Sequence, residues 1–313
     1  MSFISGMYRF DFMGHMKWWF ALSGIIIGAG LVSLAVQGLN YGLEFKEGTR
    51  IAVAFEKSPT LAEVRNTVAD LGYGDAQIQE VSAVGGTSLP GFQIQVETLT
   101  PAEQAKLKQA LDDKYTIATQ SGAQEYASET VGPTFGGEVV TSSYQAAGLA
   151  LLLILIYVSL RFQWKFAVGA IAAEFHDLLV VVGVYSLTGR EVTTATVAAV
   201  LTILGYSLYD TVIVYDRIRE NTAKLGRQPY PDIVNRSIWE TLTRSINTTL
   251  TVLLPVLMLL LFGGTTLTDF AFALLVGILS GAYSSIFVAS PVVTLLKQRE
   301  PQYKRLAARA EQA

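Results

Sequence analysis

The sequence predicts a polytopic α-helical membrane protein: six transmembrane helices, with one α+β domain inserted after the first. Three observations predict it. Charge is scarce, since 16% of the 313 residues are Asp, Glu, Lys or Arg, where a soluble protein carries about 25%. The charge is also segregated, leaving six apolar runs near the ~20 residues a helix needs to cross ~30 Å of hydrocarbon. Between the first and second runs, residues 40–138 have soluble composition and alternate strand with helix signals.

The first span is 18–39, which carries no charge. It follows Lys17, but it exceeds the roughly 7–15 apolar residues of a signal-peptide core and reads as an uncleaved span. Residues 139–296 hold the other five. The second, 139–160, is also uncharged, whereas the third, 166–187, carries Glu174, His176 and Asp177. The fourth, 192–215, carries only Asp210; the fifth is about 245–264 and the sixth 270–296.

Orientation follows from Lys and Arg in the short connections. One side would hold Arg9, Lys17, Arg161, Lys165, six cations in 216–244 and five after Leu296. The loop between spans three and four has only Arg190, and that between five and six has none. The richer side is cytoplasmic by the positive-inside rule. Residues 1–17 are then a cytoplasmic N-terminus, about 216–244 a cytoplasmic loop, 297–313 a cytoplasmic tail, and 40–138 an extracytoplasmic domain.

Within that domain, Thr49 to Glu56 reads as a strand. Thr60 to Leu71 reads as a helix, with Thr60 and Glu63 as a capping box and Gly72 and Gly74 ending it. Ala76 to Val84 alternates apolar and polar, the period of a strand. A turn at Gly85 to Ser88 leads to a strand at Phe92 to Leu99. Thr100-Pro101-Ala102-Glu103 opens a second helix to about Asp113, with Pro at its first position. A last strand is expected between Tyr115 and about Ala127. The order βαββαβ is that of a ferredoxin-like unit.

Composition excludes several classes. Cysteine is absent, which removes disulfide scaffolds, thiolate metal sites and thiol enzymes. Two histidines, His15 and His176, do not make a multi-His metal centre. A net charge of −3 does not fit a basic nucleic-acid binder. No cofactor, metal or nucleic acid is expected, and no covalent catalysis.

Ionisable groups inside a span are costly, about 2.5–3.5 kcal/mol for Asp on insertion scales, and mark polar paths or bundle interiors. At 1.5 Å per residue, Asp210 lies ~7 Å from the cytoplasmic boundary. Arg244, at the start of span five, can snorkel to a similar depth, so the two are expected partners in a proton relay. Asp177 lies near mid-bilayer, with His176 and Glu174 as secondary candidates. Interhelical glue is the competing reading for each. An aspartyl-protease pair at Asp177 and Asp210 is disfavoured, because the two differ by ~9 Å in depth and such dyads share one proton. Gly24 with Gly28, and Gly277 with Gly281, are spaced for close helix packing. Pro255 can kink span five. Tyr230 to Arg244 reads as an amphipathic helix lying at the inner surface.

Gly205-Tyr206-Ser207-Leu208-Tyr209-Asp210-Thr211-Val212-Ile213-Val214, followed by Asp216-Arg217-Ile218-Arg219-Glu220-Asn221, resembles the signature of the SecF family. Gly38 to Thr49, Val131 to Glu138, Phe175-His176-Asp177 and Phe262-Gly263-Gly264 agree with it in order. Glu44 stands where that family usually has Asp, and Glu47 where it usually has Gly, a residue that tolerates backbone conformations Glu does not. The resemblance implies half of an RND-type assembly, paired with SecD and associated with the SecYEG channel. It implies use of the proton-motive force to promote preprotein translocation, with Asp210 and Arg244 as the family's intramembrane pair. It places the chain, multi-pass, in the bacterial inner membrane. A non-catalytic scaffold bracing SecD, or a small-molecule RND-type exporter, are the alternatives.

Overall fold

The computed structural model describes residues 10–81, 91–120 and 123–310. Arg9 and the turn expected at Gly85 to Ser88 lie outside the described residues. The chain divides into two compact units, 1–40 with 144–313, and 41–143.

Among the described residues, six helices are long and apolar enough to cross a membrane. Helix α1 spans Met16–Gln37. Helices α2 (Leu61–Asp70) and α3 (Pro101–Tyr115) belong to the other unit. Then come α4 (Pro133–Arg161), α5 (Trp164–Thr188), α6 (Thr194–Leu225), α7 (Tyr230–Phe262) and α8 (Gly264–Ser284). A π-helical turn, Ser285–Ala289, continues α8 into α9 (Ser290–Lys297), and α10 (Pro301–Ala310) follows. Local signals set the ends. Gly189 takes a left-handed conformation (φ 63°) after α5, as a helix terminus requires. Thr193 caps α6 in a reciprocal box with Thr196.

Two expectations about the segment between spans four and five are corrected. The segment 216–244 is not a loop, because only 226–229 separate α6 from α7. Nor does Tyr230 to Arg244 form a separate surface helix, since it runs unbroken into span five. The cause is side-chain pairing along α6: Asp216 with Arg219, Arg217 with Glu220, and Glu220 with Lys224. Pairs three and four residues apart support a helix beyond the apolar region.

Close packing is also reassigned. Cβ atoms at Gly24 and Gly28 would meet nothing within 4 Å, so neither packs a helix within this chain. The tight crossing of α1 and α5 is at Gly30 and Gly183, where a Cβ on Gly30 would lie 2.7 Å from Gly183 Cα. Between α6 and α8, a Cβ on Gly277 would run into Ile203, and one on Gly281 would lie 2.9 Å from Ser207 Cβ.

The second unit has strands β1 (Gly48–Val53), β2 (Gln77–Val81), β3 (Gly91–Val96) and β4 (Tyr126–Val131). They form one antiparallel sheet in the order β2-β3-β1-β4. With α2 following β1 and α3 following β3, the order is βαββαβ, compatible with a ferredoxin-like unit. Ile51 pairs with Ile94, and Ile94 with Ile78, so one sheet face is aliphatic. Val64, Val68, Leu107 and Leu111 of the helices join them in one core. Both helices carry capping boxes, Thr60 with Glu63 and Thr100 with Glu103. The last strand is Tyr126–Val131, later than expected, because Tyr115 ends α3 instead and its hydroxyl contacts Thr67 at 2.7 Å. Glu47 costs nothing at its turn, since Thr116 is the only non-glycine with positive φ among the described residues. The position that needs glycine is the next one. Gly48 has φ 150°, and a Cβ there would lie 2.6 Å from Val96 O.

Candidate functional site

Asp210 is 3% exposed on α6, facing α7. Its Oδ1 accepts a hydrogen bond from Ser245 Oγ at 2.7 Å. Its Oδ2 is buried with no partner. Arg244 is exposed, and its Nη2 donates to Tyr209 OH at 3.3 Å. The two neighbours on α7 therefore meet the two neighbours on α6, but in a different pairing from the one expected. Successive helix residues point about 100° apart, so Ser245 turns inward and Arg244 outward. Asp210 and Arg244 form no direct ion pair.

Where α6 leads into α7, the two helices are clamped. Arg217 Nε donates to Glu240 Oε2 at 2.6 Å, and Asn221 Nδ2 donates to the same oxygen at 2.7 Å and to Ser237 Oγ at 3.0 Å.

A second constellation surrounds Asp177, which is fully buried. Its Oδ2 accepts from Ser207 Oγ of α6 at 2.7 Å and from Ser284 Oγ of α8 at 2.8 Å. Its Oδ1 accepts from Ser280 Oγ at 2.6 Å and lies 3.1 Å from His176 Nδ1. His176 Nε2 is 3.1 Å from Ser23 Oγ of α1, which is 3.1 Å from Tyr283 OH. Tyr283 OH donates to Trp19 O at 3.1 Å. Glu174, one turn away, is buried with Oε2 unpartnered. Ser285 Oγ is 2.8 Å from Thr211 Oγ1. Ser207, at the level of Asp177, precedes Asp210 by three residues, about 4.5 Å of helix rise. The two carboxyls are thus closer in depth than the rise along separate spans suggests, but each has its own hydrogen-bond partners.

None of these serines stands out in the sequence reading. The signal is present in retrospect: Ser280 and Ser284 are four apart, on one face of an apolar span, where polar residues bond across helices.

Residues 112–299 match the family model described as protein export membrane protein SecD/SecF, C-terminal, and residues 32–59 match the SecD/SecF GG motif. The chain belongs to the SecD/SecF family. Protein translocase subunit SecF of Streptomyces coelicolor is 38% identical over 308 residues, covering 96% of this chain and 80% of that protein. The SecF of Magnetococcus marinus is 43% identical over 291 residues, 92% of each. The crystal structure of SecDF, a translocon-associated membrane protein from Thermus thermophilus, superposes with a TM-score of 0.82 at 37% identity. It covers 93% of this chain and 39% of that longer one. The SecDF structure in a super-membrane-facing form gives a TM-score of 0.67. The chain is thus a multi-pass membrane protein of the protein-translocase type, a transport role.

Proposed function

We propose that this chain is a SecF-type subunit that pairs with a SecD-type partner and uses the proton-motive force to promote preprotein translocation through a SecYEG channel. Asp210 carries the coupling proton, in a bacterial inner membrane with both termini cytoplasmic and the α+β unit outside. One observation carries this reading: Asp210 is the only ionisable acid in the apolar stretch of its span, and one of its carboxyl oxygens is buried without a partner. An orphaned buried acceptor is an unstable resting arrangement, and it is satisfied by taking a proton or by meeting a new donor.

The local hydrogen bonds support a mechanism. Ser245 holds Oδ1, and protonation at Oδ2 supplies a donor where none existed. The pairing of α6 with α7 then changes above a cytoplasmic clamp built by Arg217, Asn221, Ser237 and Glu240. Arg244, held beside the site on Tyr209, points about 100° around α7 from Ser245 and serves as the counter-charge when the proton leaves. Each proton crossing 100 mV releases about 2.3 kcal/mol, which biases a two-state packing by roughly fifty-fold. The α+β unit transmits that repacking to the preprotein.

The test is proton flux in proteoliposomes holding the full chain with its SecD-type partner. Asp210→Asn abolishes the flux and the proton-dependent part of translocation. Flux equal to wild type overturns the relay and leaves Asp210 as interhelical glue in a scaffold subunit.

A further inference from the structure

We propose that Asp177 and His176 form a second proton-binding station, enclosed within this one chain and entered from Tyr283 of span six by way of Ser23 of span one. It deepens the relay reading, resting on it only in taking the same coupling ion. Asp177 has three serine hydroxyls from two other helices, Ser207, Ser280 and Ser284, at 2.6 to 2.8 Å. Each hydroxyl has one hydrogen; those of Ser207 and Ser280 go to the acid, and that of Ser284 is shared with Gly281 O at 3.3 Å. The imidazole of the preceding residue occupies the remaining approach to Oδ1.

The second independent feature is a route in. Tyr283 OH, Ser23 Oγ, His176 Nε2, His176 Nδ1 and Asp177 Oδ1 follow one another, each polar contact at 3.1 Å. Tyr283 is half-buried and Asp177 fully buried, so the series leads from a more open edge to the closed centre. Imidazole suits this position because it can take a proton on one nitrogen and release another from the second. A proton accepted at Nε2 lets the Nδ1 proton pass to Asp177 Oδ1. The imidazole is left neutral in its other tautomer, and one proton has moved.

The groups facing the station are few. Its own helix supplies His176 and, one turn away, Glu174; α1 supplies Ser23; α6 supplies Ser207; α8 supplies Ser280, Ser284 and Tyr283. The π-turn supplies Ser285, which is turned to Thr211. Among the described residues, no Lys or Arg pairs with Asp177. Protonation at Oδ1 turns that oxygen into a donor to the vacated Nδ1 and removes the negative charge the three serine hydroxyls share. Ser284, a donor to Oδ2, immediately precedes the π-turn Ser285–Ala289, a helix defect often found at functional sites, and there the weakened bond reaches the backbone of span six.

The experiment is pH-difference infrared spectroscopy of the carboxyl C=O stretch, on the full chain with its SecD-type partner in lipid. The expected result is a pH-dependent band lost in Asp177→Asn and kept in Asp210→Asn. His176→Gln, which keeps a polar group without a titrating ring, is expected to move the band's midpoint and to cut proton flux at least tenfold. The proposal is overturned if Asp177→Asn leaves the difference spectrum unchanged. If Asp177→Asn does not fold, an unmoved midpoint and unchanged flux in His176→Gln overturn it equally. A surviving Asp177 band beside normal flux in Asp210→Asn sinks the relay at Asp210 and leaves this station standing.

Discussion

Replacing Gly183 by Ala tests how α1 and α5 are held together. The two helices run in parallel with a constant offset: Ser23 meets His176, Gly30 meets Gly183, and Ser33 meets Ser186. The glycine pair is the crossing point, and a Cβ on Gly183 would lie 2.8 Å from Gly30 Cα. Ordinary carbon contacts are about 3.5–4.0 Å, so the helices must separate by roughly 1 Å at that point. The Ser33–Ser186 bond at 2.8 Å lies one turn away, and that separation takes it past hydrogen-bond range. Overpacking a close contact costs about 1–3 kcal/mol, and an interhelical hydrogen bond in a membrane adds about 0.6 kcal/mol. For a unit of this size that lowers the apparent unfolding midpoint by about 3–14 °C. The assay is thermal unfolding of the purified chain in detergent, with Gly28→Ala as the control because its Cβ meets nothing within 4 Å. A Gly183→Ala midpoint equal to that of Gly28→Ala refutes the crossing.

Two further outcomes concern stability. Gly48→Ala is strained both by its φ of 150° and by Val96 O, and should lose about 1–3 kcal/mol, whereas Glu47→Gly should leave thermal stability unchanged or slightly lower; equal losses from both contradict the backbone argument. Burial pushes the Glu300 carboxyl up, but hydrogen bonds and charges from Lys165 and Lys297 outweigh it and hold it below the usual carboxylate range. Because its folded-state pKa is depressed, its contribution is complete above the unfolded value of about 4.3 and is lost as pH falls through the folded one. Glu300→Gln should therefore be less stable than wild type at neutral pH, with the gap closing in acid; a gap that persists in acid, or none at neutral pH, contradicts the ion pairing.

The spans were legible because crossing hydrocarbon imposes a length and an exclusion of charge, and both are one-dimensional. The ends of α6 and α7 were not, because charge marks the edge of the membrane and not the end of a helix. Asp216 to Lys224 is charged and helical at once. The last strand was placed too early for another reason: the exposed middle of Tyr126–Val131 gives little apolar alternation. At the site, the rise per residue gives depth, which brought Asp210 and the start of span five together. It gives no azimuth, so it could not tell that Ser245, and not Arg244, points at the carboxyl. The donors to Asp177 were hidden more deeply. A serine in a span is common as packing, and only the fold brings Ser207, Ser280 and Ser284 to one acid.

The two acids are not independent, because α6 serves both. Ser207 donates to Asp177, Asp210 accepts from Ser245, and Thr211 meets Ser285, all within about one turn. Below them, Arg217 and Asn221 fix the same helix to Glu240 on α7. Above them, Ile203 and Ser207 lie against Gly277 and Gly281 with no spare volume. A helix so placed resists displacement, since packed interiors do not yield to small shifts. The two carboxyls are therefore linked through one rigid helix, which is clamped to α7 at its Arg217–Asn221 end.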